Sequence, residues 1–268
     1  MVAFTVLSQL LLAASALAVP TSSERFASRA ARRAAGLNRQ SRPKIASSGL
    51  SAEFTNSSNV DYSSNWSGAV LVASTATYKS VTGTFTVPSP KEPSGGSGEH
   101  SASAWVGIDG DTCGTAILQT GLDFTISGSS VSYDAWYEWY PDYAYDFSGI
   151  SFSSGDTVTV TVTATSKTAG TAKITNVSTG KSVSHSFSGQ PSLCEYNAEW
   201  IVEDFEEGSS LVPFANFGTV TFTNAKATTN SGSTVTPSGS DLIDIEQNGK
   251  VLTSVSTSGS TVTVKYTG

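Results

Sequence analysis

Residues Ala198–Glu207 read AEWIVEDFEE, with five acids interleaved among Trp200, Ile201, Val202 and Phe205. Alternation puts Glu199, Ile201, Glu203 and Phe205 on one side of an extended strand. A carboxylate set between large apolar neighbours is costly to bury unless something uses it. Two readings stand at this point: a charged, half-buried edge strand that deters aggregation, or a strand that carries a functional acid.

The sequence around this stretch reads as more strands. Asn65–Ala73, Val81–Val87, Ser103–Gly107, Thr115–Thr120, Ser132–Tyr140, Thr157–Ala164, Thr171–Asn176, Ser182–Ser188, Thr219–Thr223, Ile243–Gln247 and Thr261–Tyr266 all look extended. Gly, Pro, Ser, Asn and Asp punctuate them at short intervals. Ser, Thr, Gly and Val dominate, and the single Met is residue 1. Many short strands without a helical period imply an all-β antiparallel sandwich or barrel. Pro88–Ser103 (PSPKEPSGGSGEHSAS) reads as a long, mobile loop.

Charge divides the chain. Up to Ala52 there are seven basic residues and one acid, a net of +6; from Glu53 onward there are eight Lys, no Arg and twenty-one acids, a net of −13. Nucleic-acid binding needs clustered cations, so the acidic body is not expected to bind it. As pH falls towards about 3–4 the carboxylates protonate and the body's charge shrinks. The apolar run Val2–Ala18 ends in Ala16-Leu17-Ala18 and reads as a secretory signal peptide over 1–18. No later stretch is apolar for long enough to span a membrane, so no membrane contact is expected. Residues 19–52 read as a basic propeptide, ending somewhere between Lys44 and Asp61, and 53–268 as one catalytic domain. In an oxidising compartment the two cysteines, Cys113 and Cys194, form a disulfide. Sequons permit N-glycans at Asn56 and Asn176; a third, at Asn65, falls in an expected strand.

The chemistry is narrowed by what is missing. His100 and His185 are the two histidines, and neither accompanies a G-x-S-x-G turn. No His/Cys cluster has metal spacing, and no glycine-rich phosphate loop occurs, so neither metal nor cofactor is expected. What remains is carboxylates, amides and aromatics on strands. Alternation puts Trp105 with Asp109; Asp134 with Trp136, Glu138 and Tyr140; and Gln119 with Thr115 and Ile117. These strands could line one cleft, or could be ordinary wet surfaces.

The blocks NWSGAVL (from Asn65), AWVGIDGDTCGTAILQTGLDF (from Ala104), YDAWYEWYPD (from Tyr133), LCEYNAEWIVEDFEE (from Leu193) and VPFANFGTVTFTNA (from Val212) together resemble the glutamic peptidases called eqolisins. The similarity runs from about Asn65 to about Ala225. It implies a double-sheet antiparallel β-sandwich of the concanavalin A-like, jelly-roll kind. It implies a catalytic dyad of Gln119 and Glu203, with Trp66, Trp105, Asp109, Asp134 and Glu138 around the cleft. It also matches Cys113 and Cys194 to a family disulfide. Some relatives carry further cysteines near the EDFEE block that this chain lacks. The Pro88–Ser103 loop has no Lys-Arg pair for cutting, so one mature chain is expected.

On this reading the chain is a secreted acid endopeptidase, made as a zymogen, acting as a monomer on protein and peptide substrates. Glu203, with a pKa near its reference of about 4.3, takes a proton from water where His would be protonated. Gln119 donates its amide N–H to the developing oxyanion, and its carbonyl can hold the water. The basic propeptide masks the acidic body at neutral pH and is lost by self-cleavage in acid. The alternatives are a glycoside hydrolase that pairs Glu203 with Glu138 beside Trp136 and Trp139, or a carbohydrate-binding module.

Overall fold

A computed structural model of the chain describes residues 31–47 and 60–268. The signal peptide, half of the expected propeptide and Asn56 lie outside the described residues. Strands of four or more residues are β1 (Val60–Ser63), β2 (Trp66–Val72), β3 (Tyr78–Thr86), β4 (Glu99–Ile108), β5 (Ile117–Ser127), β6 (Ser130–Tyr140) and β7 (Thr157–Ser166). The remainder are β8 (Ala169–Asn176), β9 (Lys181–Phe187), β10 (Asn197–Glu203), β11 (Thr219–Thr229), β12 (Asp241–Gln247), β13 (Thr253–Ser258) and β14 (Thr261–Tyr266).

Among the described residues they form two large, almost wholly antiparallel sheets packed as a sandwich. One is nine-stranded and runs β12-β2-β10-β4-β5-β6 through its centre; the other is eight-stranded, with seven in the order β9-β8-β7-β3-β11-β14-β13 and the two-residue strand Thr234–Val235 paired to β11 off that path. The exception to antiparallel pairing is β1, which lies parallel to β12.

The AEWIVEDFEE strand decides how this sandwich is filled. β10 is not an edge strand: it pairs with β2 on one side and β4 on the other, and all seven of its residues are buried. Ala198, Trp200 and Val202 enter the core between the sheets, where they meet residues such as Val81, Phe85, Val106 and Phe222. Trp200 also spans the layers, donating its indole N–H to the Thr82 carbonyl at 2.8 Å. Glu199, Ile201 and Glu203 point to the opposite face. There Ile201 joins Trp66, Val70, Trp105, Ile117 and Trp136 in a second apolar cluster. A strand buried on both faces explains why its acids sit among such large neighbours.

The Pro88–Ser103 loop is shorter than the sequence suggests, because β4 begins at Glu99. His100, expected in a mobile loop, is buried within that strand.

Candidate active site

The outer face of the nine-stranded sheet carries a grid fixed by strand register. One row is Glu199, Gly107, Gln119 and Glu138, on β10, β4, β5 and β6. The next is Ile201, Trp105, Gly121 and Trp136, and the third is Glu203, Ser103, Asp123 and Asp134. Two glycines make the grid possible. A Cβ on Gly107 would lie 2.6 Å from Glu199 Oε1, 2.8 Å from the Trp105 ring and 3.4 Å from Gln119 Cβ. Gly121 leaves room for Trp105 itself.

Trp105 donates its indole N–H to Glu203 Oε2 at 2.9 Å and meets Trp66 edge-on, with ring centroids 5.0 Å apart. Trp136 donates to Ser103 Oγ at 3.1 Å. Aromatic walls therefore hold the carboxylates in place while excluding water from them.

Residues 39–44 lie across this grid. Arg39 and Gln40 pair antiparallel with Glu207 and Glu206 in the short hairpin that follows β10. The Arg39 guanidinium is clamped bidentately by Asp123, with both N–O distances 2.9 Å, and reaches Glu138 Oε2 at 3.3 Å. It stacks over the Trp136 ring at 3.8 Å and the Phe205 ring at 4.5 Å. The Ser41 N–H donates to Glu138 Oε2 at 3.0 Å. The next peptide unit touches both expected dyad residues: Gln119 Nε2 donates to the Ser41 carbonyl at 3.4 Å, and the Arg42 N–H donates to Glu203 Oε1 at 3.1 Å.

Further ion pairs extend the seat. Arg42 pairs with Glu206 at 2.7 Å, Arg32 with Glu207 at 2.9 Å and Glu99 at 2.6 Å, and Lys44 with Asp111 and, at 3.6 Å, with Asp61.

Burial governs the titration of the site. Glu203 is pushed up to about 7 by desolvation, opposed by the Arg39 charge and by hydrogen bonds from Ser41, Arg42 and Trp105. This departs from the ordinary value expected from sequence, because the segment above it closes the carboxyl off from solvent. Glu138 is raised well above its usual range by burial, with Arg39 pulling the other way. Glu199 is raised well above its range by burial and by the nearby charges of Asp109 and Asp111.

The sequence-expected cleft residues do not all meet. Trp66, Trp105, Gln119, Glu138 and Glu203 surround the seated segment or brace those that do. Asp134 lies at the far end of the Glu203 row, on β6. Asp109 is set apart by its task. It has a left-handed φ of 72° and accepts the backbone N–H groups of Cys194, Glu195, Tyr196 and Asn197, at 2.7–3.2 Å. Four donors offset the burial that raises its carboxyl and hold a conformation non-glycine residues rarely adopt. Asp109 thus anchors the chain entering β10, beside the Cys113–Cys194 disulfide. Among the described residues Asp109 with these cysteines is the one group with metal-like clustering, and disulfide and backbone bonds already occupy it.

Asn176 Nδ2, the atom a glycan would bond, is buried and donates to Ser151 O at 3.0 Å and Asp156 Oδ2 at 2.9 Å. A glycan there would have to break both bonds. Sequence reasoning missed Asp123, although alternation from Gln119 through Gly121 puts it on the same face. It also missed Ser103, and it saw only the charge of residues 39–44, not their seat.

The chain matches the Peptidase A4 family model over residues 64–266. It belongs to that family. It is 54% identical to Aspergillopepsin-2 of Aspergillus niger, with 98% of each chain aligned, and 45% identical to Scytalidopepsin B of Scytalidium lignicola, over 85% of this chain and 88% of that one. Its structure is similar to that of scytalido-glutamic peptidase with a transition state analog inhibitor (TM-score 0.70, 46% identity, 76% of this chain and 98% of that one). It is also similar to aspergilloglutamic peptidase from Aspergillus niger (TM-score 0.61, 64% identity, 63% of this chain and 99% of that one). As a Peptidase A4 member the chain is an enzyme, a peptidase of the glutamic type, and its sandwich is that of the eqolisins. Among the described residues no helix is long and apolar enough to cross a membrane.

Proposed function

We propose that this A4 peptidase hydrolyses peptide bonds in acid through Gln119 and Glu203, and that it is secreted as a monomeric zymogen with residues 19–52 as its pro-segment. The observation that carries the reading is that the two side chains contact one peptide unit from opposite edges, the carbonyl oxygen from Gln119 and the amide nitrogen from Glu203. Those are the two atoms on which charge changes during amide hydrolysis. Once the covering segment is gone and water reaches it, the desolvation that raises Glu203 is relieved, and its carboxylate takes a proton from the attacking water and returns it to the departing amine. The neutral amide of Gln119 donates to the oxyanion at any acidic pH.

Zymogen latency is supported by the sign and number of contacts around residues 32–44. Arg32, Arg39, Arg42 and Lys44 all face carboxylates, and Arg39 fills the space above Glu138 and Asp123. A peptide unit held by both Gln119 and Glu203 favours a peptidase over the glycosidase and carbohydrate-binding readings.

Gln119→Ala and Glu203→Ala chains freed of the pro-segment in trans, assayed on a denatured protein at about pH 3, test the dyad. Each is expected to lose a factor of at least 10² to 10³ in turnover, as for removal of one oxyanion donor or more, with circular dichroism unchanged. Near-normal cleavage by either variant excludes it. Pepstatin is expected to leave the wild type uninhibited.

A further inference from the structure

We propose that the Ser41–Arg42 peptide bond is the first bond this enzyme cuts, within its own chain, when the proenzyme meets acid. The proposal rests on the Gln119–Glu203 reading and adds to it a location, an order and an intramolecular course.

An inhibitory strap needs only to cover a site; residues 39–45 are seated as a substrate would be. The backbone runs as a short strand at Arg39–Gln40, bends at Pro43, and is held on both sides of one bond. Before it, Arg39 and Gln40 add a strand to Glu206–Glu207, and the Ser41 N–H binds Glu138. After it, the Lys44 N–H donates to the Gly110 carbonyl at 2.9 Å and the Ile45 N–H to Asn65 Oδ1 at 2.9 Å. Every N–H from Ser41 to Ile45 is therefore held, residue 43 being proline. The bond between these anchors has its carbonyl at the amide donor and its nitrogen at the acid. The Arg42 side chain turns away to Glu206 and does not stand between Glu203 and the bond.

Water adds to the Ser41 carbonyl carbon and gives its proton to Glu203. The C–N bond then breaks, and Glu203 passes the proton to the Arg42 nitrogen. One water is consumed, leaving a carboxyl on Ser41 and an amine on Arg42. With the segment seated, Ser41, Gln119 and Glu203 are fully buried, which closes the carbon to solvent. The groups facing Arg39 are Asp123 from β5, Glu138 from β6 and Glu203 from β10, with the Trp136 and Phe205 rings. Burial raises Glu138, so acid neutralises this partner of Arg39 and loosens the cage; water then enters, and the desolvation that holds Glu203 at about 7 is relieved, leaving a carboxylate able to take the proton.

The cut frees residues up to Ser41, which carry Arg32 and Arg39. Residues 42–47 stay pinned through Lys44 and Ile45 until a later cut gives the final N-terminus in the 44–61 window.

Purified wild-type proenzyme, shifted to about pH 3.5 and quenched at intervals for intact-mass analysis, tests this. A fragment ending at Ser41 and a chain beginning at Arg42 are expected before any other pair, at a rate independent of protein concentration. A first cut elsewhere, or a rate that doubles with concentration, overturns the proposal. Arg42→Pro removes the N–H that Glu203 holds; it is expected to lose this fragment pair and to mature at least tenfold more slowly. Maturation of Arg42→Pro at the wild-type rate also overturns it. Glu203→Gln is expected to stay uncut. If Glu203→Gln cuts itself, the dyad reading fails instead, so the two failures are distinct.

Discussion

Glu199 and Glu203 lie four residues apart on one strand, both fully buried, and differ in what reaches them. Glu203 receives Trp105 and Arg42, whereas among the described residues neither Glu199 oxygen has a hydrogen-bond donor. A buried carboxyl with no donor is neutral in acid, and burial with the neighbouring Asp109 charge raises it accordingly. Glu199→Gln replaces it with a neutral group of the same shape, so kcat/KM at about pH 3.5 is expected within about threefold of wild type; a hundredfold loss gives Glu199 a direct part in the chemistry. Arg39→Ala does the reverse, leaving Asp123 and Glu138 facing each other in a dry site. Breaking a buried pair costs about 3–5 kcal/mol. The variant proenzyme is therefore expected to cleave a reporter peptide at about pH 6, where the wild type stays latent. Equal latency of the two at that pH contradicts Arg39 as the latch.

At the scale of elements, the alternation in AEWIVEDFEE gave the correct split: Trp200 inward, and Glu199 and Glu203 outward together. All twelve strands expected from pattern and turn residues occur, with ends shifted by a few residues. What the pattern could not give is depth in the sheet. Polar alternation suggests a half-exposed edge, yet β10 is central, because its outer face is roofed by aromatics from β2, β4 and β6. β1 and β13 were not legible either; β1 is short, and Thr253–Ser258 alternates Val255 with Ser and Thr weakly. Nor was the seat of residues 39–44, which is built mostly from partners distant in sequence, such as Asp123, Glu138 and Glu203. Their basic charge announced the partner's sign but not its place. Cys113–Cys194 was legible because two cysteines allow one pairing. The grid makes a further demand that sequence alone did not state, a missing side chain at Gly107. Gly107→Ala is expected to displace Gln119 and Trp105, lowering kcat more than tenfold while the strands still form. Unchanged kcat in that variant means the grid tolerates more movement than its contacts suggest.

For the whole molecule, buried carboxyls set the direction in which pH acts on stability. Asp244 is raised to about 6 by burial, against hydrogen bonds from Thr253 and Ser67. Glu203 stands at about 7, and burial raises Asp204 well above its range. A carboxyl whose folded pKa exceeds its unfolded value supplies stability that is complete below the unfolded pKa. That stability is lost as pH rises through the folded one. Between about pH 4 and 7, therefore, the protein loses stability, with Asp244 accounting for roughly 3 kcal/mol at most. Thermal unfolding of the proenzyme carrying Glu203→Gln, which cannot digest itself, is expected to show a higher Tm at pH 4.5 than at pH 7.5. Adding Asp244→Asn is expected to shrink that difference by several degrees; an unchanged difference assigns the effect elsewhere. The same sign suits a body whose net charge of −13 fades in acid.

The proposed chemistry turns on Glu203 and Gln119 acting as one unit on a peptide bond. Its most direct test is kcat/KM at about pH 3.5 for Glu203→Gln and Gln119→Ala chains whose pro-segment has been removed in trans by tagged wild-type enzyme, which is then withdrawn. Both variants are expected to fall by at least about a hundredfold while still binding a non-cleavable peptide. Activity within tenfold of wild type in either one contradicts the account.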